Sequence, residues 1–299
     1  MISWHPEYDY PLEEGHTFPM KKYSLLPKLL LREEIANEED FFQPKLLDVS
    51  KILHTHCPGY WAELEGLTLC PKKWRKTGFP QTLRIVDRER YIAQGTLQSA
   101  FLSMQTQRPT FNIAGGTHHA FKDRAEGYCL LNDQAIAAQE LLIEGKVKKV
   151  LIIDLDVHQG NGTASIFQNN KNVFTFSVHG KRAYPTRKEN SDLDIALENE
   201  TTGKEYIKSL VESLENINNC FQAEFIFYQA GVDVLDKDKL GKLKLTLEDC
   251  YQRDLIVFEF AKKIRSPITV TMGGGYSEDI NVILEAHANT FRAAQKVYL

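Results

Sequence analysis

Ionisable residues alternate with apolar ones directly after a strongly apolar run in the middle of the sequence. The run 150–153, after Lys149, is followed by Asp154, Asp156 and His158, with one apolar residue between each pair. If the strand continues through this segment, its period of two places the three polar side chains on one face. Carboxylates and an imidazole are oxygen and nitrogen ligands for a divalent metal. Neighbouring buried carboxylates repel without a counter-charge, so a metal site is favoured over a solvated loop.

Three other apolar segments also end in small residues, followed by groups that bind metals or move protons. The residues that follow them are Gly115 to His119, Ala230 to Asp233 and Gly273 to Tyr276. Each has an ordinary alternative: paired histidines in a polar turn, Asp233 capping a turn, and Tyr276 as a packing aromatic. Parallel strands place their carboxyl ends at one edge of a sheet, so these groups are expected to converge. Their convergence predicts a single catalytic site.

Strands and helices alternate along most of the chain. We predict strands at 1–8, 110–114, 149–156, 173–178, 225–229 and 268–272. We predict helices at 21–35, 84–104, 132–143, 163–168, 202–218, 246–264 and 279–294, with short helices in 49–65. Segments 67–80 and 237–244 are predicted to be a surface loop and a solvated loop. The alternation favours right-handed crossovers and a parallel sheet covered by helices on both faces, in a single domain over residues 1–299.

Bulk properties exclude several functional classes. The 299 residues carry a net charge of −4, which disfavours direct nucleic-acid binding. The five scattered cysteines form no C-x-x-C pair, which fits a reducing compartment better than a disulfide framework. No segment has the ~20 apolar residues of a membrane span, and residues 1–16 lack the apolar core of a signal peptide. We therefore expect a cytoplasmic protein without a membrane span.

The other histidines lack a comparable setting. His179 follows a predicted strand but has basic neighbours, so it is interpreted as a loop residue. The rest are predicted to be structural or on the surface: His5, His16, His54, His56 and His287.

The four strand-end motifs, taken together, resemble the zinc-dependent histone deacetylases. Their order and rough spacing match from about residue 80 to the end, and the segment 158–162, His-Gln-Gly-Asn-Gly, is most similar to class IV members and their bacterial relatives. The resemblance implies an α/β fold of the arginase/deacetylase type, a single-domain three-layer sandwich. Its central sheet would be mainly parallel and eight-stranded, with helices on both sides.

The resemblance also implies a metal site and its cofactors. Asp156, His158 and Asp233 would be the metal ligands, for Zn²⁺ or, since mixed oxygen and nitrogen ligation accepts both, Fe²⁺. A structural K⁺ ion is expected mostly on backbone carbonyls near Asp154, Asp156 and His158, with Ser177 and Val178.

Catalytic roles follow from the same resemblance. His119 would be the general base and acid, beside His118, which Asp154 would orient. Tyr276 would donate a hydrogen bond to the developing oxyanion. Asn161 would face His119 where many family members carry an acidic residue, which predicts a less basic His119.

Substrate-binding residues are implied in the same way. Gly127, Tyr128, Tyr184 and Gly274 would line the acyl-lysine tunnel. Family members usually carry Phe at the two tyrosine positions, so the tunnel is expected to be more polar here and its acyl preference is open.

The implied function is a metal-dependent amidohydrolase that removes acetyl or longer acyl groups from lysine side chains of a peptide or protein. An acetylpolyamine or other small N-acyl amine amidohydrolase is the close alternative. A catalytically weak acyl-lysine binding module is a third hypothesis. The sequence leaves the physiological substrate and the oligomeric state open.

Overall fold

The computed structural model describes all residues of the chain, 1–299, and contains one eight-stranded sheet. Its strands are β1 (Ile2–Ser3), β2 (Phe41–Phe42), β3 (Thr110–Asn112), β4 (Val150–Asp154), β5 (Val173–Gly180), β6 (Leu193–Leu197), β7 (Phe225–Gln229) and β8 (Ile268–Thr271). Every strand pair is parallel, and the order across the sheet is β2-β1-β3-β8-β7-β4-β5-β6.

The four strands that precede the candidate site lie side by side, in the order β3-β8-β7-β4. Their last residues form one row across the sheet, because Asn112 pairs with Thr271, Thr271 with Gln229, and Gln229 with Asp154. The loops that follow these strands therefore begin at the same level of one sheet edge. This register is what brings four distant parts of the sequence together.

Ten helices cover the sheet. They are α1 (Lys22–Arg32), α2 (Val49–Leu53), α3 (Pro58–Glu65), α4 (Pro71–Trp74), α5 (Leu83–Thr106), α6 (Asp133–Ile143), α7 (Asn161–Phe167), α8 (Gly203–Cys220), α9 (Leu247–Ile264) and α10 (Ile280–Tyr298). Helices α1, α8, α9 and α10 pack against one another, and α2, α3, α5, α6 and α7 form a second group. One cluster of 74 buried apolar residues joins sheet and helices. The prediction of an α/β sandwich with an eight-stranded sheet is confirmed. None of the helices is both long and apolar enough to cross a lipid bilayer.

Two strands, β2 and β6, were not predicted from the sequence. β2 contains only two residues, which is too short for any periodicity to develop. β6 (Leu-Asp-Ile-Ala-Leu) lies at the lateral edge of the sheet, has no fully buried residue, and follows a charged, polar segment. Both are edge strands, where the apolar signal is weakest.

The predicted strand 149–156 ends at Asp154, so Asp156 and His158 lie in a loop. The backbone N–H of Asp156 donates to Oδ1 of Asp154 (3.2 Å), and that of His158 donates to Oδ1 of Asp156 (3.0 Å). Aspartate side chains that accept these bonds offer the backbone an alternative to the strand ladder and favour turns. The prediction that all three residues share one face of a strand was wrong, although the loop still gathers them at the same edge.

Other local predictions also need correction. Segment 67–80 contains α4 and the buried Trp74. Asp238 within 237–244 is buried, because its carboxylate accepts backbone hydrogen bonds from Leu240 and Gly241. His179 lies inside β5 and is buried, so it is not a loop residue.

Candidate metal centre and active site

Three side chains from two loops form a buried group suited to hold a metal ion. Ligand atoms of Asp156, His158 and Asp233 all lie within 4.8 Å of one another. Nδ1 of His158 lies 3.0 Å from Oδ1 of Asp156 and 3.1 Å from Oδ2 of Asp233. Asp156 and His158 follow β4, and Asp233 follows the adjacent β7. Neighbouring strands thus deliver two carboxylates and an imidazole to one point.

The donor set of this group fits a divalent cation. Oδ2 of Asp233 is buried and accepts no well-aligned hydrogen bond, although Nδ1 of His158 lies 3.1 Å away, whereas Oδ1 accepts from the backbone N–H of Val157 (2.8 Å). An unpartnered buried carboxylate oxygen is costly without a positive charge. Burial and the charge of Asp156 raise the pKa of Asp233. Burial would lower the pKa of His158, but the two carboxylates outweigh it and raise the value to about 10. The site therefore attracts positive charge.

Gly274, in the loop after β8, packs its backbone directly against the two carboxylates. Its backbone N–H donates to Oδ2 of Asp156 (2.8 Å). A Cβ atom at this position would lie 2.0 Å from Oδ2 of Asp233 and 2.7 Å from Oδ2 of Asp156. Only glycine can approach the carboxylates this closely, so the loop is shaped around them.

His118 and His119 follow β3 and lie next to the carboxylates. Nδ1 of His118 is 2.7 Å from Oδ2 of Asp154, and Nδ1 of His119 is 2.7 Å from Oδ1 of Asn161. The two Nε2 atoms are 3.1 Å apart. Two imidazolium charges at this distance would repel strongly, so at most one of the rings carries a proton on both nitrogens.

The surroundings decide which ring is charged. Burial lowers the pKa of His118, but the charges of Asp154 and Asp156 outweigh burial and raise it above its ordinary value. Burial and the charges of His118 and His158 lower the pKa of His119 well below its ordinary value. His119 is therefore neutral near pH 7. Donation from its Nδ1–H to the Asn161 oxygen leaves Nε2 unprotonated, with its lone pair facing Nε2 of His118.

Tyr276 reaches the same site from the loop after β8. Its backbone N–H donates to Oδ2 of Asp238 (2.6 Å), and its ring lies 6.2 Å from the ring of His158. The phenol hydroxyl makes no hydrogen bond within the protein, and burial raises its pKa well above the ordinary value. Tyr276 thus presents an unpaired O–H donor near the carboxylate group.

A cavity of about 970 Å³ opens from this site to solvent, and its lining includes His119, His158 and Tyr276. Gly127, Tyr128 and Tyr184 line the same cavity. The ring of Tyr184 stands edge-on to His119 at 4.9 Å, and its hydroxyl donates to Oε2 of Glu126 (3.0 Å). Gly127 has φ +52°, and a Cβ there would lie 2.6 Å from the His119 ring, so glycine is required.

The residues predicted to hold potassium lie on β4, on β5 and in the loop after β4. Asp154 pairs with Ser177 across the two strands, and Ser177 and Val178 are buried. Oγ of Ser177 is 2.9 Å from Nδ1 of His179. The potassium site stays a prediction.

Sequence reasoning missed four buried residues that hold the site loops. Asp133 accepts hydrogen bonds from the backbone N–H groups of Gly116 and Thr117, just before the paired histidines. Asp238 anchors the backbone of Tyr276, and Lys22 donates to the carbonyl of Gly273 (2.7 Å). Arg253 donates to the carbonyl of Gly231 (2.6 Å). Asn132-Asp133 before a helix was the one available signal, since Asn and Asp favour helix starts.

Comparisons with known proteins agree with the geometry. The sequence profile of the histone deacetylase domain matches residues 16–291. The chain belongs to the histone deacetylase family. It is 38% identical over 297 residues to an uncharacterised protein of Picosynechococcus sp., covering 99% of both chains. It is 30% identical to histone deacetylase 2 of Arabidopsis thaliana, over 94% of this chain and 75% of that protein.

Solved structures of the histone deacetylase family share the fold. An HDAC homologue from Aquifex aeolicus superimposes with a TM-score of 0.83 at 22% identity, over 100% of this chain and 84% of the other. A crystal structure of an HDAC homologue complexed with SAHA gives a TM-score of 0.82 at 25% identity, over 98% and 82%. The family resemblance predicted from the four strand-end motifs is confirmed, and membership supports an amidohydrolase activity of the deacetylase type.

Proposed function

We propose that this protein is a metal-dependent hydrolase that removes acyl groups from lysine side chains, with residues 1–299 acting as one catalytic domain. One observation carries the proposal. Asp156, His158 and Asp233 form a buried metal-ligating group, and His119 and Tyr276 line the same cavity as His158. A base and an O–H donor beside a ligand set are the parts that amide hydrolysis requires.

Asp156, His158 and Asp233 would hold Zn²⁺ or Fe²⁺, since mixed oxygen and nitrogen donors suit both. A bound divalent ion supplies Lewis acidity, which polarises the substrate carbonyl and lowers the pKa of water. The loops contribute rigidity, because Val157 and Gly274 fix one oxygen of each carboxylate through backbone N–H groups.

His119 would move the proton. Its neutral ring points Nδ1–H at Asn161, which leaves Nε2 to take a proton from the attacking water. The same nitrogen would later return that proton to the leaving lysine amine. His118, held by Asp154, would act as a positioning residue whose charge keeps His119 unprotonated in the resting state.

Tyr276 would stabilise the reacting oxygen. Its hydroxyl has no partner within the protein, so it is free to donate to the carbonyl oxygen as negative charge develops there. The raised pKa keeps the phenol protonated and therefore able to donate.

The test uses acetyl-, butyryl- and myristoyl-lysine peptides together with an acetylated polyamine. We expect turnover of at least one acyl-lysine peptide, loss of turnover on dialysis against a chelator, and recovery with Zn²⁺ or Fe²⁺. Metal analysis of the purified protein identifies the ion. Turnover that survives complete metal removal would contradict the proposal, as would hydrolysis of the polyamine alone.

A further inference from the structure

The mouth of the active-site cavity is positively charged, although the whole chain carries a net charge of −4. The charged residues that line it, apart from histidines, are five basic and two acidic. They are Arg75, Lys76, Arg124, Arg182, Arg187, Glu126 and Glu189. The excess of basic groups at this one opening is opposite in sign to the net charge of the chain.

Three of the basic groups are free. Glu126 pairs with Arg124 (3.2 Å) and lies 3.5 Å from Nζ of Lys76, so these three partly neutralise one another. By contrast, the unpaired guanidinium groups are exposed and make no ion pair or side-chain hydrogen bond within the protein. These are Arg75, Arg182 and Arg187.

Two of the free arginines stand on a fixed loop between β5 and β6. Nζ of Lys188 donates to the carbonyls of Ala183 (2.6 Å) and Pro185 (2.7 Å), and these two hydrogen bonds hold the loop backbone in place. Gln159, next to His158, exchanges two hydrogen bonds with the backbone of Glu189, at 2.7 and 2.9 Å. The loop that carries Arg182 and Arg187 is thus tied to the active-site loop itself, which places its charges at a defined position relative to the site.

We propose that the mouth binds a carboxylate that the substrate carries close to its acylated amine. This inference rests on the proposed function, which supplies the acylated amine as substrate. It adds that the substrate carries a negative charge next to that amine. Guanidinium groups bind carboxylates through paired hydrogen bonds, and clefts lined by one sign of charge concentrate ligands of the opposite sign. A polyamine, or a lysine flanked by basic residues, would meet repulsion at the same mouth.

The experiment compares matched acetyl-lysine peptides with blocked ends, differing only in their flanking residues: Asp and Glu, Asn and Gln, or Lys. We expect kcat/KM to be at least about fivefold higher with acidic than with basic flanks at low salt. The ratio should fall as salt rises, because exposed charges are screened beyond ~10 Å at 0.1 M. A second comparison measures kcat/KM for free Nε-acetyl-lysine and for its end-blocked form. A preference for the free amino acid would assign the carboxylate to a small molecule, and a preference confined to acidic flanks would assign it to a peptide.

Charge-reversal variants locate the effect. Arg182→Glu with Arg187→Glu should invert the acidic-to-basic ratio, and Arg75→Glu, on a separate segment, should lower it. Lys171→Glu is the matched control, because this exposed lysine precedes β5, at the amino ends of the strands and opposite the candidate site. The control should keep the wild-type ratio.

Fluorescence anisotropy of the same peptides separates this inference from the proposed function. Turnover with equal kcat/KM for all three flanks, or a ratio that the arginine variants leave unchanged, would overturn the inference but leave the hydrolase intact. Tighter binding of the acidic peptide without any turnover would keep the charge preference and overturn the hydrolase. Equal binding without turnover would contradict both.

Discussion

Nδ1 of His119 lies 2.7 Å from Oδ1 of Asn161, so this buried imidazole rests against a neutral amide and not against a carboxylate. His118, one residue earlier, rests against the charged Asp154 at the same distance. The two adjacent rings therefore differ mainly in the charge of their partners. Burial lowers the pKa of both rings. The charges of Asp154 and Asp156 outweigh burial at His118, whereas the charges of His118 and His158 add to it at His119.

Replacing Asn161 by Asp tests this arrangement. A carboxylate beside Nδ1 stabilises the imidazolium form, so the pKa of His119 should rise. If His119 is the proposed base, it must be neutral to accept a proton, so the acidic limb of the kcat/KM profile should move to higher pH. Asn216→Asp, on the exposed side of α8, is the control for an added charge. A profile that stays in place would show that Asn161 does not set the basicity of His119.

Tyr276→Phe removes one hydroxyl from the cavity and no metal ligand. If that hydroxyl stabilises the developing oxyanion, kcat should fall on the order of 10²–10³-fold. Metal content should stay at the wild-type level, because the three ligands are untouched. Tyr251→Phe, on α9, is the control. Equal losses of turnover and metal would mean that Tyr276 supports the structure of the site.

Arg253 and Asp254 form a fully buried pair beneath the loops after β4 and β7. Nε of Arg253 is 2.8 Å from Oδ1 of Asp254, and its Nη1 donates to the carbonyl of Gly231. Arg253→Met leaves a buried carboxylate without its counter-charge, which should lower the free energy of unfolding by about 3–5 kcal/mol. Urea denaturation measures the loss. Adding Asp254→Asn to this variant should recover part of the lost stability. A loss well under 1 kcal/mol in Arg253→Met alone would show that Arg253 is not an essential counter-charge for Asp254.

The strand-end motifs made the centre of the fold predictable. Apolar runs followed by Gly-Gly, Asp-x-His or Gly-x-Asp mark the carboxyl ends of buried parallel strands, and convergence follows from topology. The supporting residues were not predictable in this way. Asp133 binds backbone groups 16 and 17 residues away, and Arg253 binds a carbonyl 22 residues away, so no local pattern records either contact. The strand was predicted to continue to Asp156 but ends at Asp154, for a similar reason: aspartate side chains accept the backbone hydrogen bonds after that point.

His56 predicts a loss of stability in mild acid. Its Nδ1 is 2.9 Å from the carbonyl of Phe121, and its Nε2 accepts from the backbone N–H of Asn132 (3.0 Å), which requires the neutral ring. Burial lowers the pKa of His56 to about 4, below the ~6.5 of an unfolded chain.

Because the folded pKa is depressed, this stabilisation is complete above about pH 6.5 and is lost as the pH falls towards 4. The loss is on the order of 3 kcal/mol. Urea denaturation at pH 7.5 and 4.5 measures it for the wild type. His56→Gln cannot titrate and should lose less stability between these two pH values. An identical pH dependence in the two proteins would mean that other groups govern acid lability.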